Sequence, residues 1–346
     1  MRIGNYYSTN NRKIQVALNL IDSIWKNKKN CFKFNTTRKL SILIVRVEHL
    51  GDILSSLSIV NGIHQLAPDT QIDLLVAKHS EFLISGLNSF NEIFMIPSTI
   101  FHDKSKKSIF KKISLTLIAY YRAFKIISRK KYDCVIFASH HFFGMQLLGI
   151  FAKNSLAYSS VGFSALHSCK TKIKYNFQVH DRAKIMLEKL FPKINQLKNI
   201  DLSYEKIKFQ IEDLKISGNY LVLAVATGNK EKDIDVSEIL LNDEISILLK
   251  SISKVFLVGD IPSNNSLDEI IKAFTCNVIY VGKNYSINKL SNLICSAKGI
   301  ISADTFLAHL SAAVTNENPI FIFYKKEIGF DQWKPPGKNV KQIFIG

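Results

Sequence analysis

The sequence is short of cysteine, of acidic residues and of long apolar runs, and each shortage excludes a class of protein. Its five cysteines are scattered over 346 residues, without a Cys-x-x-Cys pair or a metal-ligand spacing. Neither a disulfide scaffold nor a zinc module is therefore expected, whereas reduced thiols in a cytoplasm are. No apolar run reaches the roughly 18 residues that a membrane-spanning helix needs.

Acidic residues are outnumbered, since 28 Asp and Glu stand against 46 Lys and Arg and give a formal net charge of +18. Such an excess predicts attraction to a polyanion: nucleic acid, an anionic membrane or an acidic substrate. The chain has no recognisable nucleic-acid module and no interleaving of aromatic and basic residues, so we expect no nucleic-acid partner. Residues 104–131 alone hold ten basic residues and no acid.

The first 39 residues carry nine basic residues and one acid, Asp22. Apolar residues at helical spacing between Ile14 and Trp25 predict a basic amphipathic helix of the kind that lies on a membrane surface. A leader helix that packs on the main domain explains the pattern at least as well. The stretch lacks a small-residue cleavage site, which argues against a secretory signal.

Beyond residue 39, apolar strands alternate with amphipathic helices in two series, which predicts two α/β domains with mostly parallel sheets. We predict a leader over residues 1–39, an N-terminal Rossmann-like domain over 40–197, a linker over 198–217 and a C-terminal Rossmann-like domain over 218–346. A long helix is expected over Ser108–Ser128, with large apolar residues on its inner face: Ile109, Ile113, Leu117, Tyr121, Phe124 and Ile127. Fold alone does not choose a function, because transferases, periplasmic binding proteins and some epimerases share such a pair of domains.

The stretch Ser41–Val60 opens the first domain with a buried strand, a tight turn and an apolar-periodic helix. Its turn lies where parallel sheets of this kind bind ligands. Arg46 interrupts the apolar run, and His49, Gly51 and Asp52 form the turn. The ionised carboxylate of Asp52, just inside that ligand-binding mouth, is the group that needs a function.

The stretch Gly299–Val314 has a similar strand, turn and helix in the second domain. Asp304 is predicted to cap the helix, which would leave an anion pocket suited to a diphosphate at three N–H groups: those of Thr305, Phe306 and Leu307. His309, one turn further along, is placed to bond the phosphate side. The plainer interpretation is that Asp304 is only a cap and His309 is structural.

Together the two stretches resemble the glycosyltransferase family 9 proteins, the ADP-heptose:lipopolysaccharide heptosyltransferases. Residues 45–76 resemble the family's opening, with these matches: Arg46, Leu50-Gly51-Asp52, Pro68-Asp69 and Ile72–Val76. Residues 281–314 resemble its donor motif, with Asp304, Thr305 and His309 in place. Weaker matches are Val179–Arg182, the loop near Lys232 and Trp333–Gly337. The resemblance covers about residues 40 to 340.

The resemblance implies a GT-B fold, in which two Rossmann-like domains face each other across a cleft, and an inverting, metal-independent transfer. By position, Asp52 matches the general base proposed for the family, and Lys232 matches the lysine that pairs with the nucleotide diphosphate. The acceptor side would hold Arg46, His49, Gly51 and His140. The donor site would be completed by Gly259, Gly282, Asp304, Thr305, Phe306, Leu307 and His309.

These residue types suit the implied chemistry. A carboxylate opposite the leaving group can take the proton of an attacking hydroxyl, and helix N–H groups with a lysine can stabilise a leaving diphosphate without a metal. The chain departs from the family pattern at Phe306, where the family has glycine, and its lysine loop offers Lys230 as well as Lys232. Asp233 and Asp235 imitate a metal-binding Asp-x-Asp motif, but they open a helix, so we interpret them as helix-start charges.

We therefore expect a glycosyltransferase that moves a sugar, expected to be heptose from ADP-heptose, to a lipopolysaccharide core or a related surface glycan, with no further cofactor. Its expected partners are the nucleotide-sugar, an acidic lipid-linked acceptor and the anionic inner-membrane surface, on which a cytoplasmic protein would lie peripherally. The alternative is a non-catalytic nucleotide-sugar- or glycan-binding relative. An oxidoreductase fits least, because the first turn lacks G-x-G-x-x-G.

Overall fold

A computed structural model describes residues 34, 39–99, 108–139, 145–158, 166–171, 178–191, 199–209, 216, 218–228, 230–315, 317–325 and 334–345. The chain divides into two compact units, Met1–Leu202 and Ser203–Gly346. This division falls inside residues 198–217, the segment predicted as a linker. The predicted leader helix Ile14–Trp25 and His140 lie outside the described residues.

The described part of the N-terminal unit contains a six-stranded parallel sheet with the order β3-β2-β1-β4-β5-β6. Its strands are β1 (Ser41–Val45), β2 (Gln71–Ala77), β3 (Glu92–Ile96), β4 (Cys134–Phe137), β5 (Ser155–Tyr158) and β6 (Cys169–Thr171). The central strands read as continuous apolar runs because both faces of a parallel sheet are covered, and β1 and β4 are almost wholly buried.

Among the described residues of this unit, four α-helices accompany the sheet: α1 (Leu50–Ser55), α2 (Leu57–Leu66), α3 (Ile109–Arg129) and α4 (Val179–Leu190). Shorter 3₁₀ segments cover Lys78–Gly86 and Gln146–Phe151. Helix α2 lies close to α4 at Gly62, where an added Cβ would stand 2.3 Å from Leu187 Cδ1. Glycine at this position therefore permits the close approach of the two helices.

The C-terminal unit repeats this architecture, with a parallel sheet in the order β12-β11-β10-β7-β8-β9. The strands are β7 (Tyr220–Ala224), β8 (Lys254–Val258), β9 (Asn277–Gly282), β10 (Gly299–Ala303), β11 (Ile320–Lys325) and β12 (Val340–Ile345). The helices are α5 (Val236–Leu240), α6 (Asp243–Leu249), α7 (Leu267–Ala273), α8 (Ile287–Cys295) and α9 (Phe306–Val314), and a 3₁₀ turn covers Lys230–Lys232.

Both sheets reverse their strand order beside the first strand of the unit, at β1/β4 and at β7/β10. Ligands of doubly wound sheets bind at such switch points, beyond the carboxyl ends of the strands. The prediction of two Rossmann-like α/β domains is confirmed. The short strands β5 and β6 and the edge strand β12 were not predicted from the sequence.

Helix α3 buries a different face from the one that the sequence predicts. Three of its predicted inner residues, Ile109, Leu117 and Tyr121, are 57, 67 and 55% exposed, and Ile113 is exposed as well. The buried positions are Ala119, Ala123 and Ile127, which join the core around β1 and β4. Both sides of α3 are apolar, and the small alanines allow the helix axis to come closer to the sheet than the large residues would.

The sequence predicts reduced cysteine thiols and no membrane-spanning helix. Cys134, Cys276 and Cys295 are free thiols, but Cys169 is disulfide-bonded, so the expectation of reduced thiols throughout is wrong at Cys169. None of the helices in the described part of the chain combines the length and apolar character needed to cross a membrane.

Candidate functional site

Arg46 leaves the carboxyl end of β1 and is 1% exposed. Its guanidinium donates to the Asp52 backbone oxygen at 2.9 Å, to Asp52 Oδ1 at 3.2 Å and to Ser55 Oγ at 3.2 Å. It also donates to the backbone oxygen of Ala138, just after β4. Arg46 therefore ties the turn after β1 to the end of β4, directly at the switch point of this sheet.

Asp52 is the third residue of α1 and is 8% exposed. One carboxylate oxygen forms the ion pair with Arg46, and the other accepts the backbone N–H of His49, the N-cap residue, at 3.2 Å. Gly51 lies in the same first helical turn. The structure thus brings together the predicted base, Asp52, and three of the four predicted acceptor-side residues: Arg46, His49 and Gly51.

A second buried arginine reaches this region from α4. Arg182 is 4% exposed. Burial lowers its pKa to about 10, against the smaller, opposing influence of Tyr158. Burial raises the pKa of Tyr158, at the end of β5, to about 12. A small cavity lies here and is about large enough for one water. Its polar lining residues are Arg46, Ser55, Ser56, Tyr158 and Arg182.

Sequence reasoning missed Tyr158 and gave Arg182 only a weak signal, the resemblance at Val179–Arg182. It also passed over Glu48, which is fully buried with its Oε2 3.8 Å from Arg46 Nε. Neither carboxylate oxygen of Glu48 has a hydrogen-bond partner in the structure. Two arginines and two carboxylates thus share the buried side of this switch point.

In the C-terminal unit, Lys232 and Asp304 form an ion pair of 2.9 Å. Lys232 follows β7 in the 3₁₀ turn, and Asp304 follows β10, so the pair lies at the second switch point. Both side chains are mostly buried. Lys230, at the other end of the same turn, is exposed. Geometry therefore separates the two lysines that the sequence left as alternatives, because Lys232 is the one beside Asp304.

The cap of α9 differs from the prediction. Thr305, not Asp304, is the N-cap residue, and its Oγ1 accepts the Leu307 N–H at 3.2 Å. The Leu307 N–H is therefore already engaged, and the predicted pocket of three free N–H groups is wrong in that respect. Asp304 precedes the cap, where its carboxylate pairs with Lys232 instead. Phe306, the first helical residue, is half-buried.

His309 lies on the buried side of α9 and is 5% exposed. Its Nδ1 is 2.6 Å from the hydroxyl of Tyr204, and the two rings are stacked. Lys206, from the same segment, donates to the backbone oxygens of Ala312 and Thr315 at the end of α9. Residues of the predicted linker thus hold both the histidine and the helix, a role that the sequence pattern did not indicate.

Gly259 follows β8, Gly282 is the last residue of β9, and their φ values are positive, at 88° and 61°. The Gly259 N–H donates to the Gly282 oxygen at 2.9 Å, which joins the two strand ends. An added Cβ at Gly259 would meet no atom within 4 Å. The backbone conformation, not crowding, therefore accounts for glycine at this position.

Asp233 and Asp235 hold loops and a helix end. Asp233 accepts the N–H groups of Thr227 and Ser263, each at 2.7 Å, and so joins the loops that follow β7 and β8. Asp235 caps α5 by accepting the Ser237 N–H at 2.8 Å. Within the described residues, no three His, Cys, Asp or Glu side chains are grouped so that they could hold a metal ion.

Several solved structures share this architecture. A family 9 glycosyl transferase from Veillonella parvula superposes with a TM-score of 0.64 at 15% identity, covering 88% of this chain and 86% of that one. The E. coli heptosyltransferase WaaC, solved with ADP, has a TM-score of 0.62 at 18% identity, covering 89 and 94%. The E. coli ADP-heptose lps heptosyltransferase II has a TM-score of 0.62 at 16% identity, covering 88 and 90%.

The chain has the fold of the family 9 glycosyltransferases. The predicted resemblance is thereby confirmed at the level of fold, which is what identities of 15–18% establish. No protein-family model and no curated protein matches the sequence. Within this fold, the residues that bear on function are those of the two switch-point clusters.

Proposed function

We propose that this protein is an inverting, metal-independent glycosyltransferase that uses a nucleotide-diphospho-sugar, with ADP-heptose as the expected donor. The observation that carries the proposal is the placement of charged groups at both switch points. One unit presents a carboxylate held by a buried arginine, and the other presents a lysine–aspartate pair at a helix N-terminus. No further cofactor is proposed.

On the acceptor side, Asp52 would act as the general base. Its carboxylate is anchored by Arg46 and by the His49 N–H, and it retains 8% exposure at the carboxyl end of the sheet. The acceptor hydroxyl would transfer its proton to Asp52 while its oxygen bonds to the anomeric carbon. The bond from that carbon to the diphosphate oxygen would break on the opposite face, which inverts the configuration.

On the donor side, Lys232 and the N-terminus of α9 would hold the diphosphate. Asp304 pairs with Lys232, and an arriving diphosphate would attract the same ammonium group. The positive end of α9 lies next to this pair, because Thr305 is its cap. As the leaving diphosphate gains charge, a fixed cation and a helix dipole stabilise it without a metal ion.

The acceptor that we infer is an acidic, lipid-linked glycan of the lipopolysaccharide core or a related surface polymer. The net charge of +18 favours acidic partners generally, and residues 104–131 of the N-terminal domain hold ten bases and no acid. We also propose a peripheral position on the anionic inner-membrane surface, where a lipid-linked acceptor would be reached from the cytoplasm.

Replacing Asp52 by asparagine tests the proposal. Asparagine keeps the side-chain shape and can still accept from Arg46, but it cannot take a proton, so we expect transfer to fall by roughly 10²–10⁴-fold. Product formation from ADP-heptose and a heptose-accepting core glycolipid measures the effect. ADP affinity should stay close to that of the unmodified protein, and transfer is compared at a temperature at which both proteins are folded, because Arg46 loses its counter-ion in the variant. Near-normal turnover in Asp52→Asn would refute the assignment of the base.

A non-catalytic nucleotide-sugar-binding protein is the second candidate. It is favoured by Phe306 at the first turn of α9 and by the structural use of both Asp52 oxygens. Calorimetry with ADP- and UDP-sugars, with and without the core glycolipid, separates the two candidates. A binder would give saturable heat without ADP release, whereas an enzyme would release ADP only when the acceptor is present.

A further inference from the structure

Helix α3 exposes an apolar face that the protein core does not use. Five large side chains are exposed along it: Ile109, Phe110, Ile113, Leu117 and Tyr121. At 100° per residue they fall within about 120° of the helix circumference and run for about 18 Å along its axis. Phe110 is 81% exposed and Leu117 is 67% exposed. We call this surface the α3 apolar face.

A row of basic residues borders the α3 apolar face. Lys111, Arg122, Lys125 and Arg129 fall within about 60° of each other on the circumference. The ammonium group of Lys125 lies 4.5 Å from the centre of the Tyr121 ring, so the two surfaces are in contact. The sequence has no Asp or Glu between residues 104 and 131. Ile118, which is 40% exposed, lies within this basic row. Helix α3 therefore combines small buried residues, a face of large exposed apolar residues and a row that is mostly cationic.

The apolar surface continues beyond the helix. Phe151, which is half exposed, packs edge-on against Phe124 of α3 with ring centres 4.7 Å apart. Leu147 and Ile150, from the same 3₁₀ segment, are exposed as well. Contiguous exposed apolar surface of this kind marks an interaction site more often than isolated apolar residues do.

We propose that the α3 apolar face and its basic row dock the N-terminal domain on an anionic lipid bilayer. Large apolar side chains beside lysines and arginines, without acids, are the composition of helices that lie in the plane of a membrane interface. The apolar residues would enter the boundary between headgroups and acyl chains, and the cations would contact lipid phosphates. This inference deepens the proposed function, because it names the surface by which an enzyme with a lipid-linked acceptor meets the membrane.

Charge complementarity selects this occupant over two others. A second copy docked through the same face would bring two basic rows together, which like-charge repulsion disfavours. The N-terminal 39 residues carry nine bases and one acid, so they offer the α3 cations no complement either. An anionic bilayer supplies both the apolar phase and the negative charge.

Sedimentation of the full-length protein with vesicles tests the proposal. We expect binding to vesicles of phosphatidylglycerol and phosphatidylcholine, weak binding to phosphatidylcholine alone, and loss of binding as salt is raised. Phe110→Ser with Leu117→Ser should weaken partitioning by roughly tenfold for each side chain. Arg122→Gln with Arg129→Gln should weaken binding to the anionic vesicles by roughly fivefold for each charge and leave the weak binding to phosphatidylcholine nearly unchanged.

The matched control lies in the C-terminal unit, where Leu241, just after α5, and Ile247, in α6, are 82 and 66% exposed. The sequence has no Lys or Arg between residues 233 and 249. Leu241→Ser with Ile247→Ser should bind vesicles as the unmodified protein does. The proposal is overturned if the unmodified protein ignores anionic vesicles, or if Phe110→Ser with Leu117→Ser binds them equally well. It is also overturned if analytical ultracentrifugation shows a dimer that this pair of substitutions dissociates.

These measurements use neither donor nor acceptor, so they separate the docking surface from the proposed transfer. Vesicle binding without any nucleotide binding would refute the proposed function and support the α3 apolar face as a membrane surface. Transfer to a water-soluble core oligosaccharide without vesicle binding would refute the docking proposal alone.

Discussion

At the scale of single residues, Arg46 holds the first switch point together. Its guanidinium is buried and donates to a carboxylate, a hydroxyl and two backbone oxygens. Removing one partner of a buried ion pair costs about 3–5 kcal/mol, because the remaining charge is left without its counterpart. Asp52→Ala would therefore mix a loss of stability with a loss of the base, and asparagine is the sharper substitution.

Lys232 is the residue on which donor binding should depend most. Lys232→Met removes the ammonium group and leaves the Asp304 carboxylate next to the diphosphate, so we expect the affinity for ADP to fall about tenfold or more. The unfolding free energy should also fall by about 1–3 kcal/mol, because the mostly buried Asp304 carboxylate is left without its counterpart. Isothermal titration with ADP measures the change.

Lys230→Met provides the control, since Lys230 shares the 3₁₀ turn but is exposed and forms no ion pair in the described structure. It should bind ADP nearly as well as the unmodified protein. If both substitutions weaken ADP binding equally, the loop acts only through its overall charge, and the specific role of Lys232 is wrong.

At the scale of elements, the N-terminus of α9 depends on the Thr305 hydroxyl, which accepts the Leu307 N–H. Thr305→Ala should lower the stability of this helix by about 1 kcal/mol, because a buried donor loses its acceptor. Hydrogen exchange of the Phe306–Val314 backbone should become several-fold faster, as measured by mass spectrometry. Thr305→Ser keeps the hydroxyl and should exchange at nearly the original rate; equal effects of serine and alanine would contradict a capping role.

Helix α3 shows why periodicity alone can choose the wrong face. Its large apolar residues recur at helical spacing, which is the usual signature of a core-facing stripe. A second stripe, centred on Ala119 and Ala123, is also apolar and is the one that packs on the sheet. The choice between two apolar stripes depends on the space between helix and sheet, which no local pattern contains.

At the scale of the whole molecule, a buried histidine should make the fold sensitive to acid. His167 stands against the Phe137 ring, neither of its ring nitrogens has a hydrogen-bond partner in the structure, and burial lowers its pKa to about 3. Its ordinary pKa is about 6.5, so between those two values the unfolded chain binds a proton that the folded chain does not. Stability contributed by the neutral ring is complete above about pH 6.5 and is lost as the pH falls.

Acidification from pH 7.5 to pH 5.0 should therefore cost the N-terminal unit about 2 kcal/mol through His167 alone. His167→Leu cannot bind a proton, so its stability should fall by about 2 kcal/mol less over the same interval, whatever its absolute value at pH 7.5. Urea unfolding of both proteins at the two pH values measures this difference. An identical pH dependence in the two proteins would show that His167 can be protonated within the fold.

Local pattern by itself determined the alternation of strands and helices, the two domains and the positions of both switch-point motifs. Continuous apolar runs such as those of β1, β4, β7 and β10 are needed wherever a parallel sheet is covered on both faces, so they can be read from the sequence. The likeness of Arg46 and Asp52, and of Asp304 and His309, to a known pattern then located the candidate sites.

Only the tertiary structure decided which groups meet. Arg182, Tyr158 and Tyr204 come from segments distant in sequence from the residues they adjoin, and no spacing rule relates them to Arg46 or His309. The choice of Lys232 over Lys230 and the capping of α9 by Thr305 depend on how two loops end beside one another. Tertiary packing also decides which face of α3 is exposed. Close packing of side chains from distant segments sets which apolar surface is buried and which remains in water.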